Sequence, residues 1–145
     1  MGSGRARALI KFARDFPKTV FIGVDTRYGG DKCQRVDVHR VGGIQLVNDN
    51  WLTLAKIPSG SADTVISHCG CFTHGLSIQD LDQSRQIIES VSRITKTGAI
   101  LRYNDDGNGS EKDMAKVKWI RELLVEDGWK VFPKGETRTI IAIKN

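Results

Sequence analysis

The chain has no apolar run near the roughly 20 residues that a membrane-spanning helix needs. It also lacks a charged leader followed by an apolar stretch, so no secretory signal is read. Cysteine is scarce: Cys33, Cys69 and Cys71 are an odd number and build no disulfide framework. A reduced, cytoplasmic setting is the expectation. Proline occurs three times in 145 residues, and there is no low-complexity tract, repeat or linker, so residues 1–145 are read as a single domain. Aromatics are only 7% of the chain, and Trp51, Trp119 and Trp129 do not interleave with basic residues. An aromatic-basic nucleic-acid surface is therefore not indicated, and a nucleic-acid partner rests on charge alone.

That charge is +5, with much of the excess in Arg5, Arg7, Lys11, Arg14 and Lys18. It permits an anionic partner, although a solvated helix face accounts for it equally. Between these cations Leu9, Phe12, Ala13 and Phe16 recur at helical spacing, which predicts a helix over Arg5–Phe16, stopped by Pro17. Val20–Val24 is a continuous apolar run and predicts a strand covered on both faces. Further strands are expected at Ile44–Val47, Thr64–Ser67, Ala99–Tyr103, Trp129–Phe132 and Thr139–Lys144, with a short helix within Lys32–Val41. Ser77, with Asp80 three residues on, is expected to cap a helix lined by Leu81, Ile88, Val91 and Ile94. Ser110 opens another, lined by Met114, Val117, Ile120, Leu123 and Leu124 and closed by Gly128. Only Pro133–Thr137 separates the last two strands, too short for a crossover, so they form an antiparallel hairpin. The alternation predicts an α/β fold: a doubly wound, mostly parallel sheet in a three-layer sandwich.

In such folds ligands sit beyond the carboxyl ends of the strands. Gly2-Ser3-Gly4 opens the first helix, where small residues and a helix N-terminus suit an anionic group. Met-Gly-Ser-Gly is also readable as an added leader. Asp25 follows 23 positions after Gly2, at the end of an apolar strand, where an acid can take both hydroxyls of a ribose. Asp49 and Asn50 end the next strand and can edge an adenine; turn chemistry explains them as well.

Taken in order, "GSGRARALIKFARDFPKTVFIGVD", "NDNWLTLAKIPSGSADTVIS" and "SRITKTGAILRYND" resemble the class I S-adenosylmethionine-dependent methyltransferases over nearly the whole chain. The resemblance implies a Rossmann-like methyltransferase fold with S-adenosylmethionine as cofactor. Gly2 and Gly4 would pass its methionine part, Asp25 its ribose, and Asp49 with Asn50 its adenine. His68 and Cys69 would face the methyl group and an unidentified acceptor. Two features depart from the family pattern. The third loop glycine is Ala6, and the central first strand, with its acid, has no counterpart before Gly2. The fold is thus expected to be truncated before its first strand, with its neighbours closing up or receiving a strand from a partner or an upstream segment.

"HCGCFTH" gathers His68, Cys69, Cys71 and His74. Its spacing does not match structural zinc sites, so no metal is assigned. No cysteine follows a proline and no Asp/Asn-Pro-Pro-aromatic motif is present, so neither a C5-cytosine nor an exocyclic-amine methyltransferase pattern is met. His68 and His74 are the candidate general bases. The principal expectation is methyl transfer. The alternatives are a non-catalytic methyltransferase-like fragment or partner subunit, and a nicotinamide-dependent enzyme, against which the closing hairpin counts.

Overall fold

In the computed structural model the described residues are 7–25, 43–68, 80–104, 111–132 and 138–145. Their order is α1 (Arg7–Asp15), β1 (Phe21–Val24), β2 (Ile44–Val47), β3 (Ala62–His68), α2 (Leu81–Ile94), β4 (Thr95–Asn104), α3 (Glu111–Glu126), β5 (Trp129–Phe132) and β6 (Thr139–Lys144). The segment expected to hold a helix within Lys32–Val41 lies outside these residues.

The strands form two ladders: β1–β2, and β3–β4–β6–β5. β1 runs parallel to β2 with Phe21 opposite Ile44 and Val24 opposite Val47. β3 runs parallel to β4, and β6 is antiparallel to both β4 and β5. The closing hairpin and the mostly parallel character follow the sequence. Among the described residues, however, no ladder joins β1 to β3, where the resemblance had placed an absent strand.

The core explains which residues took which element. Val65, Leu101, Tyr103, Ile140, Ala142 and Trp129 point to one face of the four-stranded sheet. Ile87, Ile88, Val91 and Ile94 of α2 and Val117, Ile120, Leu123 and Leu124 of α3 share that core. Both helices therefore bury stripes at i, i+3, i+4 spacing. Val24 and the turn residues Leu54 and Ile57 join the same cluster. The other sheet face carries Ile66, Ile100, Ile141 and Ile143, each 36–44% exposed.

Several boundaries differ from expectation for physical reasons. The cap of α2 is Asp80, whose carboxylate accepts from Gln83 N at 3.0 Å; Ser77 lies outside the described residues. Gly98 does not precede β4 but sits within it. Pairing jumps from Ala62–Thr95 to Thr64–Ile100, and this bulge lets β4 start directly after α2. In α1 only Ala13 of the predicted stripe is fully buried, because Phe16 falls beyond the last helical turn and is 58% exposed. Phe12, still partly exposed, stacks on Phe21 with centroids 6.3 Å apart. Val20 and Ile22 are likewise exposed, so β1 is not covered on both faces. Gly128 behaves as expected: its φ of +85° is the left-handed turn that ends α3.

Candidate site at the strand carboxyl ends

The parallel ladder of β1 and β2 brings Asp25 and Asp49 to one edge. Asp25 follows Val24 directly, and its N–H donates to Val47 O at 3.2 Å. Asp49 lies two residues past the end of β2. Both acids are withdrawn from water, at 8% and 9% exposure. A carboxylate so placed must be hydrogen-bonded. For Asp49 the partners are backbone: Oδ1 accepts from Asn50 N at 2.8 Å and Oδ2 from Lys56 N at 2.6 Å. Two N–H groups fix the carboxylate in place, while the lone pairs left over can still accept from a ligand.

Asn50 plays a different part. It is exposed, and its Oδ1 accepts from Leu52 N at 2.9 Å, while its carbonyl accepts from Thr53 N and Leu54 N. This is Asx-turn chemistry, and it starts the loop that returns the chain to β3. Its side-chain amide N–H groups remain the part able to meet a ligand. His68 closes β3 at its carboxyl end, opposite Asn104. Gly2, Gly4, Cys69 and His74 lie outside the described residues, as does Cys71.

Two residues that no motif signalled hold the 50–60 loop. Arg93, near the end of α2, donates from Nη1 to Ile57 O at 3.0 Å and Ser59 Oγ at 3.1 Å. Its Nη2 donates to Leu54 O at 2.7 Å and Thr53 O at 3.2 Å. Ser90 Oγ, one turn earlier, donates to Leu52 O at 2.5 Å. The loop they grip contains Leu54, fully buried with φ +44°, a conformation unfavourable for leucine. Nothing in a single sequence pairs an arginine with carbonyls 36–40 positions away. A second polar chain ends β4: Thr139 Oγ1 donates to Asn104 Oδ1 at 2.8 Å, and Arg121 Nη2 donates to Thr139 O at 3.2 Å. Desolvation lowers the Arg121 guanidinium below its ordinary value.

A surface depression of about 190 Å³ lies elsewhere, between Arg85, Ile88 and Glu89 of α2 and Leu123, Glu126 and Asp127 at the end of α3. None of the strand-end residues lines it. It is bridged by the exposed Arg85–Glu126 pair at 3.5 Å, which has little energetic weight.

No protein-family profile matches the chain. No curated protein matches it either. Solved structures do. The chain is similar to a putative S-adenosylmethionine-dependent methyltransferase from Methanococcus maripaludis, with a TM-score of 0.71 at 16% identity over 99% of this chain and 75% of that one. It is similar to a SAM-dependent methyltransferase from Aquifex aeolicus, with a TM-score of 0.70 at 13% identity over 99% of this chain and 79% of the other. The [4+2]-cyclase SpnF also matches, at TM-score 0.64 and 14% identity over 91% of this chain, which spans only 50% of the cyclase's length. Strand order, closing hairpin and superposition agree: the chain has the fold of the class I S-adenosylmethionine-dependent methyltransferases.

Proposed function

We propose that the chain binds S-adenosylmethionine across the carboxyl ends of β1, β2 and β3 and transfers its methyl group to an acceptor. The observation that carries this reading is the pair of buried acids, Asp25 and Asp49, at the ends of adjacent parallel strands. A cyclase with the same fold is reason to argue from the site and not from the fold.

In this reading Asp25 accepts from the ribose hydroxyls, and Asp49, fixed by two N–H groups, accepts from the adenine amino group beside Asn50. Gly2 and Gly4 pass the methionine part, and His68 and Cys69 border the methyl group. When bound, the cofactor supplies an activated methyl on a sulfonium. The chain's own work is then positioning, with His68 or His74 taking a proton from the acceptor where one must leave. Arg93 and Ser90 keep the adenine-side loop in place. A cytoplasmic setting accords with the cysteine pattern and with the lack, among the described residues, of any helix long and apolar enough to cross a membrane. The net charge of +5 leaves an anionic acceptor, nucleic acid included, open to assay.

A second reading is favoured by the lack, among the described residues, of a ladder joining β1 to β3. It holds that the chain is a non-catalytic fragment or partner subunit that has lost cofactor binding. Calorimetric titration with S-adenosylhomocysteine decides between them. The first reading expects saturable binding that Asp25→Ala weakens at least tenfold. A folded chain that takes up no ligand supports the second.

A further inference from the structure

The face of the four-stranded sheet turned away from α2 and α3 is not composed for water. A solvated sheet face alternates polar residues with the apolar ones that point to the core. In β6, Ile140 and Ala142 point to the core, yet the outward residues beside them are Ile141 and Ile143. β3 and β4 add Ile66 and Ile100, and in the folded chain all four isoleucines stay 36–44% exposed. Register sets this face in rows. One row runs Thr64, Ile100, Ile143, Lys130, and the next runs Ile66, Arg102, Ile141, Phe132. Strand spacing makes each row about 14 Å wide and separates the rows by about 7 Å.

The charge on this face has one sign. Arg102 stands between Ile66 and Ile141, and Lys130 ends the neighbouring row. Neither row holds an acid. The Arg102 guanidinium has no hydrogen bond or ion pair to the rest of the chain. Lys130 Nζ lies over the Phe132 ring, 5.5 Å from its centroid, with no carboxylate beside it. Exposed cations elsewhere do find acids, as Lys96 finds Asp63 and Arg85 finds Glu126.

We propose that this face docks an amphipathic helix of another protein, one that carries carboxylates within its apolar stripe. Helix geometry suits the rows. Residues i and i+4 are about 6 Å apart along the axis, close to the row spacing. One helix face can therefore set a leucine on the Ile100–Ile143 row and a glutamate beside Arg102. A further acid reaches Lys130. Apolar burial then supplies most of the affinity, and the carboxylates decide which helix is accepted. A second copy of the chain presents the same cations and no acid, so it is a poor occupant. An anionic lipid surface gains only about 1 kcal/mol from each of the two cations, too little to hold the chain there.

The test uses the full chain with labelled isoleucine methyl groups and two synthetic helical peptides of about 18 residues, or five turns. Both carry the same leucine stripe. One has glutamates within it, and the other has lysines at those positions. The glutamate peptide is expected to bind saturably and shift the methyl signals of Ile66, Ile100, Ile141 and Ile143, leaving those of the buried Ile87 and Ile120 in place. The lysine peptide should bind about tenfold more weakly or worse. Arg102→Glu combined with Lys130→Glu, two exposed positions, should reverse that preference. The proposal is overturned if the glutamate peptide leaves the four methyls unmoved, if the two peptides bind equally, or if charge reversal does not change their order. It is also overturned if phosphatidylserine vesicles move the same methyls while the glutamate peptide does not, or if these signals shift on dilution as a self-dimer dissociates. No readout involves a cofactor, so failure here leaves the methyltransferase reading untouched.

Discussion

Replacing Arg93 with alanine removes four hydrogen bonds at once, and their surroundings decide what each contributes. Leu54 and Ile57 are 0% and 4% exposed, so their carbonyls lose a charged donor that water replaces poorly. At about 1–1.5 kcal/mol each, these two account for about 2–3 kcal/mol. Thr53 and Ser59 are exposed, and their groups rehydrate, adding only a few tenths of a kcal/mol between them. Arg93→Ala is thus expected to destabilise the fold by about 3 kcal/mol. With a urea slope of about 2 kcal/mol per molar, the midpoint falls by about 1.5 M. Arg93→Lys offers one ammonium in place of a planar fork and should recover less than half. Urea titration followed by tryptophan fluorescence measures both. A loss under 1 kcal/mol, or a lysine variant equal to wild type, refutes the reasoning, since the loop carbonyls would then be satisfied without a fork.

Asp49→Asn places an amide N–H against one of two backbone N–H donors, so S-adenosylhomocysteine affinity should fall at least tenfold in calorimetry and stability by about 1–2 kcal/mol. Gly43→Ala strains a residue at φ +83° and sets its Cβ 3.0 Å from Thr19 O. Hydrogen exchange should then quicken in β1 and β2 while β5 and β6 keep their protection. Trp129→Phe leaves Ser92 Oγ and Asp127 Oδ2 without the indole N–H, now 2.8 and 3.1 Å from them. A thermal melt should record a loss of about 1–2 kcal/mol.

The elements legible in the sequence are those whose pattern is local. The α3 stripe and the α2 stripe (apart from Leu81, which is 47% exposed at the helix start), the β5–β6 hairpin with its short link, and Gly128 at a helix end each depend on neighbours a few residues apart. The acids Asp25 and Asp49 were legible because a strand end is a local feature, and both stand buried at one edge. Exposure depends on what covers an element from afar, so Val20 and Ile22 proved more open than their apolar run implied. The β4 start was misplaced because a bulge against β3, not a turn, accommodates Gly98. Arg93, Ser90 and the Asn104–Thr139 pair were invisible for the same reason: each acts on chain more than 30 residues distant.

The open face of the four-stranded sheet has a colloidal consequence. Cross-strand register sets Ile66 beside Arg102 and Arg102 beside Ile141, with Ile100 beside Ile143 one row along. Arg102 therefore interrupts what would be an unbroken isoleucine surface, in the manner of a charged gatekeeper flanking a sticky strand. Two molecules that stacked these faces would bring like charges together at the centre of the contact. Arg102→Leu would remove that barrier and leave a contiguous apolar patch of the kind that drives precipitation. Lys130, set opposite Ile143, is a second cation on that face, so Arg102 guards its middle and Lys130 its edge.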